Sequence, residues 1–166
     1  YSIYLEIFGG GLGASAQSDG CDGVDCPLSN CSNIPIEAMD ITYKFFRVVD
    51  YSLIADSGGD GLHRGGLGLQ RIYEILEDDV EFATYADRFE RAPQGLFGGQ
   101  PGRCAQTFVE RGEERIALSS KQSFKLRRGD RGRASKLVVV FSDAAPGGRR
   151  SRADSGVASR CSLDPA

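Results

Sequence analysis

Sixteen of the chain's 22 glycines fall between Gly9 and Gly102. Most of them lie in three clusters, GGGLG, SGGDGLHRGGLG and GLFGGQPG, and each cluster joins or ends a stretch that reads as a β-strand. Glycine admits positive φ and lets two backbones approach closely. Clusters repeated on this scale therefore suggest a packed set of loops hung on short strands. Tight hairpins in a twisted sheet account for them structurally. A functional account would gather their amide groups around a substrate or an anion.

The segments between the clusters carry the strand signal. YSIYLEIF (Tyr1 to Phe8) alternates and is rich in β-formers, and FFRVVDYSLI (Phe45 to Ile54) is β-branched and aromatic. LQRIYEIL puts Leu69, Arg71, Tyr73 and Ile75 on one side and Gln70, Ile72, Glu74 and Leu76 on the other. VEFATYADRF is a further strand. QTFVERGEERIAL predicts a hairpin turning at Arg111–Gly112. KQSFKLRRGD reads as a short strand ending in a turn, and KLVVVF as a last strand. One short helix is expected near Pro35, capped by Asn33 and carrying Glu37 in its first turn. The fold class is mainly β (α+β): twisted antiparallel sheets with glycine-rich loops and one short helix.

A chain of 166 residues, 40% hydrophobic and 26% charged, fits one domain or a large piece of one. No run approaches the ~18 apolar residues of a membrane span, and the first residues lack the features of a signal peptide. The chain begins without Met inside a strand-like stretch, as part of a longer protein would. The five cysteines, an odd number, suit a reducing compartment, so a cytoplasmic location is expected. The net charge of −3 is uneven: Arg127 to Arg160 holds nine Lys/Arg against three Asp/Glu. Its end, SRADSGVASRCSLDPA, has no aromatic residue and no apolar period, so disorder is the preferred reading over a nucleic-acid surface.

Several familiar sites fail on their residues. GLGASA (Gly11 to Ala16) matches a dinucleotide-binding pattern, yet QSDGCDGVDCPLSN cannot supply the helix that must follow. Gly61 and Gly66 have P-loop spacing, but Leu67 and Gly68 stand where Lys and a hydroxyl residue are needed. Asp56, Asp60 and Gly61 lack the alternating ligands and terminal Glu of a calcium loop. His63, the chain's one histidine, reads as a surface residue. Cys21, Cys26 and Cys31 are spaced by gaps of four residues. A zinc site would need a fourth ligand from Cys104, Cys161, His63, Asp22 or Asp25, and ordinary reduced thiols are the preferred reading.

Taken in order, the motifs resemble the C-terminal part of the hydantoinase B/5-oxoprolinase family. They are Gly9 to Gly11, then Asn33 with Pro35 and Glu37, the SGGDGLHRGGLG run from Ser57 to Gly68, and Asp87–Arg88. Gly95 to Gly102 and Lys121 with Leu126, Gly129 and Asp130 complete the set. The family includes the B subunits of ATP-dependent N-methylhydantoinases, the B-like half of 5-oxoprolinase and the α-type subunits of acetone carboxylase. The resemblance covers Tyr1 to Arg131, which is read as one domain, and Gly132 to Ala166 as a divergent basic tail. Family members are several times longer, and their metal-binding Asp/His motifs are expected nearer the N-terminus of the full subunit.

The resemblance implies a fragment or small subunit of a hydrolase acting on cyclic amides. A hydantoinase A-type partner would activate the carbonyl with ATP, and a divalent metal would sit elsewhere in the complex, with no cofactor held by this chain. Ketone carboxylation, or a non-catalytic assembly role in such a complex, are the alternatives. The side chains best suited to contribute are Asp56, Ser57, Arg64 and Arg88, because an arginine beside glycine loops can clamp a carboxylate or phosphate through two bonds. Their structural alternatives are a turn hydrogen bond at Asp56 and a strand-end salt bridge at Arg88.

Overall fold

The computed structural model describes residues 2–24, 35–135 and 137–143. Among these described residues, nine strands and one helix follow in chain order: β1 (Ile3–Phe8), α1 (Ile36–Thr42), β2 (Phe46–Leu53), β3 (Leu69–Ile75), β4 (Val80–Tyr85), β5 (Thr107–Arg111), β6 (Glu114–Leu118), β7 (Lys121–Leu126), β8 (Arg131–Ser135) and β9 (Leu137–Asp143). They form a four-stranded sheet in the order β1-β9-β4-β7 and a five-stranded sheet in the order β2-β3-β8-β5-β6. Every pairing is antiparallel. The mainly β architecture expected from the sequence is the one observed.

The two sheets share one core. Tyr4, Val80, Phe82 and Leu126 come from the smaller sheet, and Phe46, Tyr73, Ile75, Val109, Leu118 and Ala134 from the larger. The alternation read in β3 is realised in full: Leu69, Arg71, Tyr73 and Ile75 are buried, and the residues between them are partly exposed. An aromatic cluster fastens one end, with Tyr4 4.9 Å from Phe46 and Phe46 5.5 Å from Tyr73 between ring centres. Such tilted and edge-to-face pairs add to simple area burial. Met39 of α1 is buried beneath this cluster, and the Tyr4 hydroxyl donates to its sulfur. Pro35 stands at the helix N-cap without a side-chain cap; Asn33 lies outside the described residues.

A charged pair crosses the core. Arg71 of β3, 2% exposed, forms an ion pair with Glu6 of β1. The Tyr73 hydroxyl donates to the same carboxylate, and the Arg71 guanidinium lies over the Tyr51 ring at 3.9 Å. Burial drives the Tyr4 hydroxyl up to about 12 and that of Tyr73 well above its usual range. The pair ties the sheets together where a bare charge would be costly.

The turns follow from their glycines. Gly112 takes φ 60° at the first central position of the β5–β6 hairpin, where Arg111 faces Glu114. Gly129 takes φ 89° at the third position of the Arg127–Asp130 turn, closed by Asp130 N–H donating to the Arg127 carbonyl. The buried Asp130 carboxylate then accepts both Nε and Nη2 of Arg111, at 3.0 and 2.6 Å, and the Arg127 amide at 2.9 Å.

β8 is a strand that the periodicity did not mark. Its inward residues are small for a reason visible in the register: Gly132 faces Tyr73, and Ala134 faces Arg71. Two of the largest buried side chains thus find room opposite two of the smallest residues. β9 runs between β1 and β4, and the rest of the basic C-terminal segment, 144–166, lies outside the described residues. No helix among the described residues is long and apolar enough to cross a membrane.

Candidate functional site: a platform of glycine loops

The three glycine clusters converge. Leu12 N–H donates to the Cys21 carbonyl, Gly66 N–H to Leu12, Gly20 N–H to Arg64 and Gly23 N–H to Leu67, all between 2.8 and 3.0 Å. Gln100 N–H donates to Asp60, and Arg103 N–H to Ser57, which attaches the third cluster to the second. These bonds require backbones nearly in contact. A methyl group on Gly66 would overlap the Cys21 carbonyl, one on Gly11 would overlap Gly66, and one on Gly59 would overlap Gln100. The sequence is glycine-rich here because three loops stack with no space for a Cβ.

Two aspartates from the first loop pin the second. Asp22 receives Arg64 Nη1 at 2.7 Å and Nη2 at 3.1 Å, and also the Leu67 amide at 2.8 Å. Asp19 accepts the Arg64 amide at 3.1 Å and His63 Nδ1 at 3.3 Å. The Arg64 fork and the Leu67 amide hold the Asp22 carboxyl down at about 2. Arg64 is raised in turn by its bond to Asp22. The pair stays charged throughout the physiological range.

Of the four side chains singled out in the sequence, two sit inside this platform. Ser57 is buried; its hydroxyl donates to the Ile54 carbonyl at 2.8 Å and accepts the Gly68 amide at 2.7 Å. Arg64 is the clamp on Asp22. Asp56 is exposed at the entry to the loop with φ 54°, a left-handed turn conformation that Asp tolerates better than most residues. Arg88 is exposed with φ 67°, and its carbonyl accepts the Ala105 amide. Asp19 and Asp22 were not among the expected site residues, since their partners lie more than 40 positions away.

Six of the platform's glycine amides are already engaged. Gly20, Gly23, Gly65, Gly66, Gly99 and Gly102 all donate to carbonyl oxygens of the chain, so they do not form an open phosphate cradle. Among the described residues no three His, Cys, Asp or Glu side chains converge in a way that could hold a metal ion. Cys21 is an exposed free thiol, and Cys26, Cys31 and Asp25 lie outside the described residues. At the outer tip, Phe97 is fully exposed with φ 52°, and Leu62 and Leu96 are exposed too.

The family profile described as hydantoinase B/oxoprolinase matches residues 1–136. An uncharacterized protein of Methanocaldococcus jannaschii is 39% identical over 127 residues, which cover 76% of this chain and 22% of that protein. 5-Oxoprolinase 1 of Arabidopsis thaliana is 34% identical over 128 residues, 76% of this chain and 10% of that protein. 5-Oxoprolinase of Dictyostelium discoideum is 27% identical over 146 residues, 87% of this chain and 11% of that protein. The chain thus spans between about a tenth and about a fifth of the length of these curated relatives.

Proposed function

The chain belongs to the hydantoinase B/oxoprolinase family, and from that premise we propose that it is a component of an enzyme that opens cyclic amides such as 5-oxoproline or a hydantoin. A lactam amide is a poor electrophile, and phosphorylation of its oxygen would supply the leaving group that ring opening needs. On the family resemblance we assign ATP and any divalent metal to a hydantoinase A-type partner and to the rest of the full-length architecture. This chain's contribution is the platform, a fixed wall of glycine loops held by Arg64 and Asp22, with Asp56 and Arg88 exposed for contact with substrate or with neighbouring polypeptide. Ring opening is favoured over ketone carboxylation because two of the relatives compared are named 5-oxoprolinases.

The observation that carries the proposal is the family match, which runs across the three glycine loops. Its test is to replace the matched segment of the Arabidopsis 5-oxoprolinase with residues 1–136 and to assay ring opening. A second reading, a non-catalytic packing domain of the same complex, is favoured by one observation: the Ser57 hydroxyl and the Arg64 guanidinium are both engaged internally. Asp56→Ala and Arg88→Ala in the swapped enzyme separate the two readings. Under the first, at least one of them lowers turnover with stability unchanged. Under the second, neither does.

A further inference from the structure

The two outer faces of this sandwich differ in chemistry. On the larger sheet one row alternates in charge across all five strands: Arg47 faces Glu74, Glu74 faces Arg131, Arg131 faces Glu110, and Glu110 faces Arg115. Arg47 Nε reaches Glu74 at 2.6 Å. Cross-strand pairing of opposite charges is what a water-facing sheet uses. On the smaller sheet, β1 does the reverse. Its polar residue Glu6 and its tyrosine Tyr4 turn inward, while Ile3, Leu5 and Ile7 turn out, 51%, 58% and 47% exposed. Hydrophobicity alone would have oriented this strand the other way.

The apolar stripe has a limited footprint. The register through β9 puts Ile7 in one row with Tyr85 of β4, which is also exposed, and Leu5 in one row with Ala83. Farther along the same rows β7 contributes Lys121 and Ser123, both exposed. The face is therefore apolar at the β1 side and polar at the β7 side, the pattern of a contact surface with a polar rim.

We propose that the outer face of β1, with Tyr85, is a contact surface for an apolar-faced layer of polypeptide from the portion of the hydantoinase B/oxoprolinase architecture that lies outside the matched segment. Two observations select this occupant. The curated relatives carry 78% or more of their length beyond the stretch they share with this chain. On the opposite outer face a full row of paired charges runs across the sheet, so a general lack of polar residues does not explain the stripe. The inference rests on family membership and is independent of the reaction proposed above.

Thiol labelling of Leu5→Cys tests it, with rates normalised to the unfolded protein and resolved by peptide mass spectrometry. The substitution is made both in the 166-residue chain and in the Arabidopsis enzyme carrying the swapped segment. Labelling at least tenfold slower in the swapped enzyme than in the chain alone is expected, and Ile7→Cys should repeat the result. Equal rates in both settings overturn the proposal. Protection in the chain alone that grows with concentration assigns the face to a second copy and also overturns it. So does concentration-independent protection that vanishes when residues 144–166 are removed, since it assigns the face to that segment. None of these readouts depends on turnover, so a failed activity assay leaves them interpretable.

Discussion

Arg64 holds Asp22 through both carboxylate oxygens, at 2.7 and 3.1 Å, across 42 positions of sequence. The same carboxylate accepts the Leu67 amide, so one side chain fixes the relative positions of two glycine loops. Asp22 is held at about 2 against an ordinary 3.8. A carboxyl depressed in the folded state contributes stability that is fully present above its unfolded value and is lost as pH falls through the folded one. Thermal midpoints of the wild-type chain should therefore decline between about pH 4 and pH 2. Asp22→Asn should start lower at neutral pH and decline less steeply in that window. Parallel curves for the two proteins would remove the clamp from the account.

The close approach of the loops predicts a sharp contrast between two glycines of the platform, one from each of two clusters. Gly66→Ala drives a methyl group into the Cys21 backbone, and neither side can move without shifting the other loop. It should cost about 2–3 kcal/mol in denaturant unfolding. Gly13→Ala meets nothing within 4 Å and should stay within about 0.5 kcal/mol of wild type.

The Arg127–Asp130 turn predicts an asymmetry between partners. Asp130 is buried at 2% exposure, whereas the Arg111 side chain keeps some access to water. Arg111→Ala strands a buried carboxylate and should cost about 3 kcal/mol, while Asp130→Ala frees an arginine that can reach solvent and should cost less. Equal costs, measured by urea unfolding, would contradict the burial argument.

The Glu6–Arg71 pair lies deeper, and its prediction concerns coupling. Each single change, Glu6→Leu or Arg71→Met, leaves a charge in the core and should cost about 3–5 kcal/mol. The double variant removes both charges, so its cost should fall well below the sum of the two. Simple addition in a double-mutant cycle would mean that the pair is solvated.

How far the sequence foretold this structure depended on the range of each interaction. β3 was legible because its alternation is realised without exception, and the β5–β6 hairpin because Gly112 can take the positive φ its turn requires. β8 was not, because Gly132 and Ala134 are small to fit Tyr73 and Arg71 on the neighbouring strand, and small residues between arginines carry no hydrophobic period. Ser57 and Arg64 were found as members of a motif. The carboxylates that hold Arg64, Asp19 and Asp22, were not, since no local pattern links residues more than 40 positions apart. The outward turn of Ile3, Leu5 and Ile7 could not be read either, because an alternating strand does not say which of its faces meets the core.

The most direct measurement of the central proposal is ring opening of 5-oxoproline by the Arabidopsis enzyme in which residues 1–136 replace the matched segment, followed as glutamate released with and without ATP. The account predicts ATP-dependent turnover within about tenfold of the parent enzyme, a difference of about 1.4 kcal/mol in activation free energy. A swapped enzyme that folds with the parent's thermal stability, binds ATP and releases no glutamate would contradict it.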